Sequence, residues 1–337
     1  MKEKPPNYYF KLILILVTAV VVSGLLFYVS TLSSEFTFNS PFNFLESNKK
    51  ISVLVVGDIM LDRNVRNRIN KIGFDAFFGG IKELISDVDI AVGNLEGPFT
   101  TYESLTANSK NKTLTFTFDP LLAPKLAEIG FDILGLANNH TLNFGKEGLI
   151  STKKYTKEAG MLYYGDPNNT DEISTIIEKN DLKIGFIGFH EFSYINFDKV
   201  LVKISRLRPD VDVLIVTPHW GTEYKKEPTT NMSKWAHQFI DLGADAVIGT
   251  HPHIVADIEE YKNKKIFYSL GNFAFDQYFS EETMEGLAVK IDIEKESNRR
   301  NSKKDNGEKN KIELNYSLIP IRIDREGTRI SSNQHEI

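Results

Sequence analysis

Residues 244–253 read ADAVIGTHPH. The apolar pair Val247 and Ile248 ends at Gly249, and two histidines, His251 and His253, follow on either side of Pro252. Read as a strand that stops at Thr250, the segment sends two imidazoles out of its carboxyl end at an i, i+2 spacing. Neutral imidazoles on a stiff Pro-containing turn reach one cation, or two cations a few ångströms apart. The competing reading is a chance pair in a surface loop, and the rest of the chain bears on the choice.

The same kind of ending recurs along the sequence. Residues 51–56 stop at Gly57-Asp58, 88–92 at Gly93-Asn94-Leu95-Glu96, and 131–136 at Ala137-Asn138-Asn139-His140. Further on, 184–188 stop at Phe189-His190-Glu191, 211–216 at Thr217-Pro218-His219-Trp220-Gly221, and 265–268 at Ser269-Leu270-Gly271-Asn272. Helical signals lie between several of these strands. Asp119 caps a helix that begins with Pro120, with Leu121, Leu122, Leu126 and Ile129 at helical spacing. Residues 145–159 and 231–242 are further helix candidates, closed by Gly160 and Gly243. Short strands alternating with helices predict an α/β fold, in which ligands gather outside the carboxyl ends of the strands. The tail reads differently. Residues 287–293 and 312–323 alternate like half-buried strands, and the polar segment 294–311 between them reads as a disordered insertion or long hairpin tip. Contact of its Lys and Arg with lipid headgroups is the alternative, diluted by Glu294, Glu296, Asp305 and Glu308.

The chain has 337 residues, 41% hydrophobic and 25% charged, enough for a sizeable core. A net charge of −5 without a basic stripe argues against nucleic acid as a partner. There is no cysteine, which excludes disulfides, thiolate ligands and cysteine nucleophiles. The run LILILVTAVVVSGLLFYVS at 12–30 carries no charge and is long enough to cross a bilayer, which takes about 20 residues. Lys2, Lys4 and Lys11 precede it, and the next Lys or Arg is Lys49. The positive-inside rule puts residues 1–11 in the cytoplasm and the bulk of the chain outside. A cleaved signal peptide is the alternative; the run is longer than a usual apolar signal region and lacks a small-x-small cleavage site, which favours a retained anchor. Residues 31–50 read as a tether to a domain spanning 51–330.

Together the strand-end residues are Asp58, Asn94, Glu96, Asn139, His140, His219, His251 and His253. Carboxylate, amide oxygen and imidazole in a chain without cysteine suit a divalent metal such as Mn, Fe or Zn, and a set of this size suits two adjacent ions. Such a pair activates water and holds the oxygens of an in-line phosphoryl displacement, with no covalent nucleophile required. His190 reads as a supporting or core histidine, His237 as structural, and His335 as part of a polar tail.

The motifs GDIMLDR (57–63), GNLEGPFT (93–100), ANNHTLNFG (137–145), HWGTEY (219–224), GADAVIGTHPH (243–253) and YSLGNFAFDQ (268–277) resemble the bacterial capsule-synthesis CapA/PgsA family of the calcineurin-like metallophosphoesterase superfamily. The resemblance implies a two-sheet sandwich flanked by helices, an N-terminal anchor, and a role in making or exporting poly-γ-glutamate or a similar anionic surface polymer. It implies the membrane and other capsule-synthesis membrane subunits as partners. It also implies Asp58, Asn94 or Glu96, Asn139, His219, His251 and His253 as metal ligands, and His140 as the acid; Glu96 is read as ligand or base. Glu223, Tyr224 and Asn272 follow strand ends and are expected to line the substrate pocket. Met60 stands where the superfamily has a histidine ligand, Asn143 where the family has Asp, and Asp62 where many relatives have a small residue. A non-catalytic subunit that grips polymer or scaffolds a membrane synthase is the alternative function.

Overall fold

The computed structural model describes residues 49–106, 113–192, 197–296 and 311–332, together with Thr18, Val20 and Ser23. The expected N-terminal segment, all but three residues of the anchor at 12–30 and most of the tether fall outside the described residues, as does 297–310 of the polar insertion. Among the described residues no helix is long and apolar enough to cross a membrane.

The elements in chain order are β1 (Lys49–Ile59), α1 (Arg63–Ile72), α2 (Phe74–Phe78), α3 (Lys82–Ser86), β2 (Ile90–Leu95), α4 (Leu122–Glu128), β3 (Ile133–Gly135), α5 (Gly145–Glu158) and β4 (Leu162–Tyr164). Then follow β5 (Ser174–Lys179), β6 (Leu182–His190), α6 (Phe197–Leu207), β7 (Val213–His219), α7 (Thr230–Asp241) and β8 (Ala246–Ile248). The chain continues through β9 (Ile258–Tyr261), β10 (Lys264–Phe267), β11 (Asn272–Ala274), β12 (Glu285–Lys295), β13 (Ile312–Asp324) and β14 (Gly327–Ile330).

These strands make two mixed sheets. One has the order β14-β13-β12-β1-β2-β3-β4, with β11 also paired to β1; the other runs β5-β6-β7-β8-β10-β9. Strands β1 to β4 are mutually parallel, as are β6, β7, β8 and β10. The two-residue period of β1 shows how the layers assemble. Ile51, Val53 and Val55 join Ile184, Phe186, Val213 and Ile215 in the core between the sheets. Leu54 and Val56 face the other way, into a cluster with Phe77 and Phe78 of α2 and Leu126 of α4. Leu214, Val216 and Val247 likewise pack outward against Val200 of α6 and Phe239 of α7. Strands buried on both faces need apolar residues at consecutive positions, which is what the sequence supplies in both parallel halves.

The expected α/β class with two sheets and flanking helices is observed. Asp119 accepts a bond from Leu121 N at 2.9 Å at the start of α4, and α5 and α7 end within a residue or two of the expected positions. The tail strands β12 and β13 pair antiparallel, and just beyond the pairing Glu296 N donates to Lys311 O at 3.1 Å.

Candidate metal centre

Each main parallel strand delivers one polar group to the same end of the sandwich. Asp58 lies near the end of β1, which is crossed there by the carbonyl of Gly271. A Cβ on Gly57 would sit 2.0 Å from that oxygen, so only glycine admits the crossing. At the crossing Asp58 N donates to Gly271 O at 3.1 Å, which fixes the aspartate. Strand β2 brings Asn94 and, just beyond it, Glu96; β3 leads into 137–140; β7 ends on His219; β8 leads into Thr250, His251 and His253. In that last turn the two histidines hold φ of 101° and 59°, left-handed values that non-glycine residues rarely adopt. His251 N donates to Asp58 Oδ2 at 3.3 Å, so the aspartate anchors the turn it faces.

Two groups of donor atoms result. In the first, ligand atoms of Asp58, Glu96 and His253 lie within 4.8 Å of one another, and all three residues are buried. His253 Nδ1 stands 3.3 Å from Asp58 Oδ2 and 3.0 Å from Asn272 Oδ1, while its Nε2 stands 3.7 Å from Glu96 Oε1. Neither oxygen of Glu96 has a hydrogen-bond partner among the described residues. Burial, then the neighbouring Asp58 and the more distant Glu223, push the Glu96 carboxyl well above its usual range. A buried, unpartnered carboxylate is costly unless it holds a cation or a proton.

The second group is neutral. His219 Nε2 lies 3.0 Å from Asn139 Oδ1 and 3.1 Å from His251 Nδ1. Donors about 2.1 Å from a shared ion sit roughly 3 Å apart, so this spacing suits one cation. His219 Nδ1 meets Thr250 Oγ1 at 2.9 Å, which leaves Nε2 to face the cluster. Burial holds the His219 and His251 imidazoles below their ordinary value, His251 at about 4, with the neighbouring imidazoles adding to it. They are therefore neutral at physiological pH, the form that binds metal.

His140 flanks the first group, its Nε2 3.8 Å from Glu96 Oε1. Its Nδ1 faces Asn143 Oδ1 at 3.1 Å; that oxygen also accepts Phe116 N at 2.8 Å, so the imidazole donates from Nδ1 and leaves Nε2 open. Burial lowers its pKa. The Phe116 ring packs on it with centroids 4.3 Å apart.

Several expected residues have different places. Asn94, expected as a ligand, donates Nδ2 to Asp58 Oδ1 at 2.7 Å and accepts Asn138 Nδ2 on Oδ1 at 3.0 Å. Its nitrogen orients Asp58, and its oxygen accepts one bond from Asn138. Asn272, expected in the substrate pocket, is buried behind His253; its Nδ2 serves His253 O, Gln277 Oε1 and Thr283 O. Glu223 and Tyr224 are exposed at the rim, with the Tyr224 ring 6.3 Å from that of His253. Met60 is buried and its Sδ accepts Asp62 N at 3.1 Å. Asp62 is a structural hub for Arg66, Ser104 and Thr117 N. His190 is buried at the end of β6 beside His219, its Nδ1 without a partner among the described residues and its pKa lowered to about 4 by burial. His237 pairs with Glu259 at 2.6 Å, away from the centre. Thr250, Asn138 and Gln277 were not singled out by sequence reasoning; Thr250 adjoins His251 and Asn138 adjoins Asn139, and only that adjacency pointed to them.

The sequence profile of the bacterial capsule synthesis protein family, PGA_cap, matches residues 52–277, which hold every strand-end group just described. The chain belongs to that family. Within this capsule-synthesis family, the Bacillus anthracis "Capsule biosynthesis protein CapA" is 31% identical over 250 residues, 68% of this chain and 61% of the relative. The chain thus spans less than two thirds of that relative's length. The Bacillus subtilis "PGA biosynthesis protein CapA" is 28% identical over 271 residues, 75% of this chain and 70% of the relative. Among solved structures, a Staphylococcus aureus protein described as a candidate 5'-nucleotidase aligns with TM-score 0.50 at 16% identity, covering 86% of this chain and 56% of that one. At that identity the likeness concerns the fold alone.

Proposed function

We propose that this capsule-synthesis family member is a membrane-anchored, extracytoplasmic accessory protein of poly-γ-glutamate or similar polymer synthesis, with a metal-dependent hydrolase or transferase site. The observation that carries the metal reading is Glu96, fully buried, without a hydrogen bond on either oxygen among the described residues, beside Asp58 and His253. These donors fit a hard or borderline divalent cation such as Mn, Fe or Zn. Asp58, Glu96 and His253 would hold one ion, and Asn139, His219 and His251 a second. A bound ion supplies Lewis-acid catalysis. The chain's own groups do the rest. Asn272 Oδ1 accepts from Nδ1 of His253 and so leaves its Nε2 unprotonated, while Thr250 Oγ1 occupies Nδ1 of His219 and orients that ring. His140, with Nε2 facing Glu96, is the group placed to take a proton at that atom and pass it to a leaving group. The reacting bond on this reading is a phosphoester or a related polar bond.

The non-catalytic reading has support in two residues: Met60 turns its sulfur to Asp62 N, and Asn94 spends its amide on Asp58 and Asn138. Fewer ligands remain than the superfamily pattern implies. His140→Ala separates the two readings. A catalyst loses polymer production in cells and hydrolytic turnover in vitro, by about 10²–10⁴ for a general acid, while keeping metal and fold. A variant with full metal, fold and polymer output supports the gripping or scaffolding subunit.

A further inference from the structure

Arg63 has no part in the chemistry above, yet it is held at the edge of the same centre. It opens α1 with a φ of 55°, a left-handed backbone for a long side chain. Its Nη2 lies 3.1 Å from Asp276 Oδ1, and the aspartate side chain is fully buried while 29% of the arginine's remains exposed. Asp276 is itself pinned through Oδ2 by Asn64 N at 3.1 Å and Asn64 Nδ2 at 3.0 Å. The guanidinium sits over the Phe116 ring, 5.8 Å from its centroid, and that ring packs on His140. One aromatic ring therefore separates this cation from the group assigned to proton transfer. The Arg63 charge also reaches the Tyr224 phenol on the rim, where it opposes the upward push of burial and Glu223.

The neighbouring arginines of α1 are spent elsewhere. Arg66 bonds Asp62 and Thr117 O, and Arg68 pairs with Glu326. Arg63 makes its ion pair with Asp276 without an aligned hydrogen bond, since Asp276 Oδ1 has no hydrogen-bond partner among the described residues. A guanidinium carries five N–H donors in a fixed fork, so donors remain for a ligand. The centre's other charged groups, Asp58, Glu96 and Glu223, are acidic. An anionic ligand needs a counterweight there.

We propose that Arg63 is the oxyanion-binding residue of this site, taking a carboxylate or phosphate of the substrate while the reacting bond lies at Asp58, Glu96 and His253. This rests on the proposed metal-dependent function. Asp276 aims the fork and Phe116 sets its distance from His140. Arginine suits the task because its planar fork matches both oxyanions in a bidentate pair, which a lysine ammonium does not.

The test uses the full chain in detergent with saturating Mn²⁺, and two probes measured by calorimetry: a γ-linked glutamate oligomer and inorganic phosphate. Arg63→Gln and Arg63→Lys are compared with wild type, and bound metal and the Mn²⁺-induced melting shift are recorded on the same samples. The proposal expects metal content and melting shift to stay at wild-type levels. Affinity for at least one probe should fall by roughly ten- to a hundredfold in Arg63→Gln, the loss of charge-assisted hydrogen bonds. Arg63→Lys, which keeps the charge and is the fallback if Arg63→Gln does not fold, should lose affinity as well because the fork is gone. The probe that responds identifies the anion: the oligomer points to polymer carboxylates, phosphate to a phosphoester. Wild-type affinity for both probes in the variants overturns the proposal, as does wild type binding neither probe, or loss of metal along with Arg63. If wild type takes no metal yet binds a probe through Arg63, the metal reading fails and the anion site stands.

Discussion

His253 Nε2 stands 3.7 Å from Glu96 Oε1, and among the described residues that buried carboxylate makes no hydrogen bond through either oxygen. Such a pair is costly unless a cation or a proton is held there. Glu96→Gln keeps the shape and removes the charge. Without metal, this variant should melt at or above the temperature of metal-free wild type. The gain from added Mn²⁺, about 2.7 kcal/mol per ion at a hundredfold excess over Kd for a ligand that binds only the folded state, should shrink by the share of the ion beside Glu96. Melts in chelator and in Mn²⁺ check both statements. A variant that is less stable without metal and stabilised by Mn²⁺ as strongly as wild type contradicts them.

Asn272 holds His253 by its Nδ1, with the amide turned by three acceptors on its nitrogen. Outer partners of this kind typically matter by about 10–100-fold in metal affinity. Asn272→Ala should weaken metal binding by that order, and Asn272→Asp, which keeps the acceptor, should recover part of it. Competition titration against a chelator measures the difference. Unchanged affinity in Asn272→Ala would show that His253 needs no such support.

Burial holds the His190 and His251 imidazoles at about 4, below the ordinary 6.5. Between those values the unfolded chain binds protons that the folded chain refuses, so stability is full above pH 6.5 and falls as pH drops toward 4. Each group accounts for about 3 kcal/mol at most over that window. Melting temperature should decline accordingly, and His190→Gln should make the decline shallower. A melting temperature flat across the window contradicts the neutral, buried imidazoles.

Much of the architecture is legible in the sequence because strands buried on both faces must be apolar along their length. Residues 51–56, 184–188 and 211–216 carry that signal, and the polar residue after each run marks the active end. The short helices α2 and α3 escape it, since Phe74, Phe77 and Phe78 are too few to define a helical period. At the site, residue types were readable and amide orientations were not. Asn94 and Asn272 look like ligand or pocket residues from their motifs, but the direction of an amide is set by partners distant in sequence, Asp58 and Asn138 in one case, His253 and Thr283 in the other. Arg63 closes the motif at 57–63, and its place beside His140 depends on Asp276 and Phe116, which sequence spacing does not connect.

Topology has its own test. With residues 12–30 as a retained anchor, protease added to intact cells should digest residues 51–337, and undigested protein should stay in the membrane fraction after an alkaline wash. A shortened chain released into the medium would show signal cleavage instead.

The central claim is that the buried carboxylates and histidines form a divalent-metal centre, and metal content per chain tests it most directly. Wild type should be assayed beside His251→Ala, His253→Ala and His237→Ala after purification and reconstitution with Mn²⁺, Fe²⁺ or Zn²⁺. The account predicts bound metal in wild type, loss of metal together with melting temperature in His251→Ala and His253→Ala, and full metal in His237→Ala, whose ring pairs with Glu259 and stacks on Tyr261. Equal metal in all three variants, or none in reconstituted wild type, would contradict it.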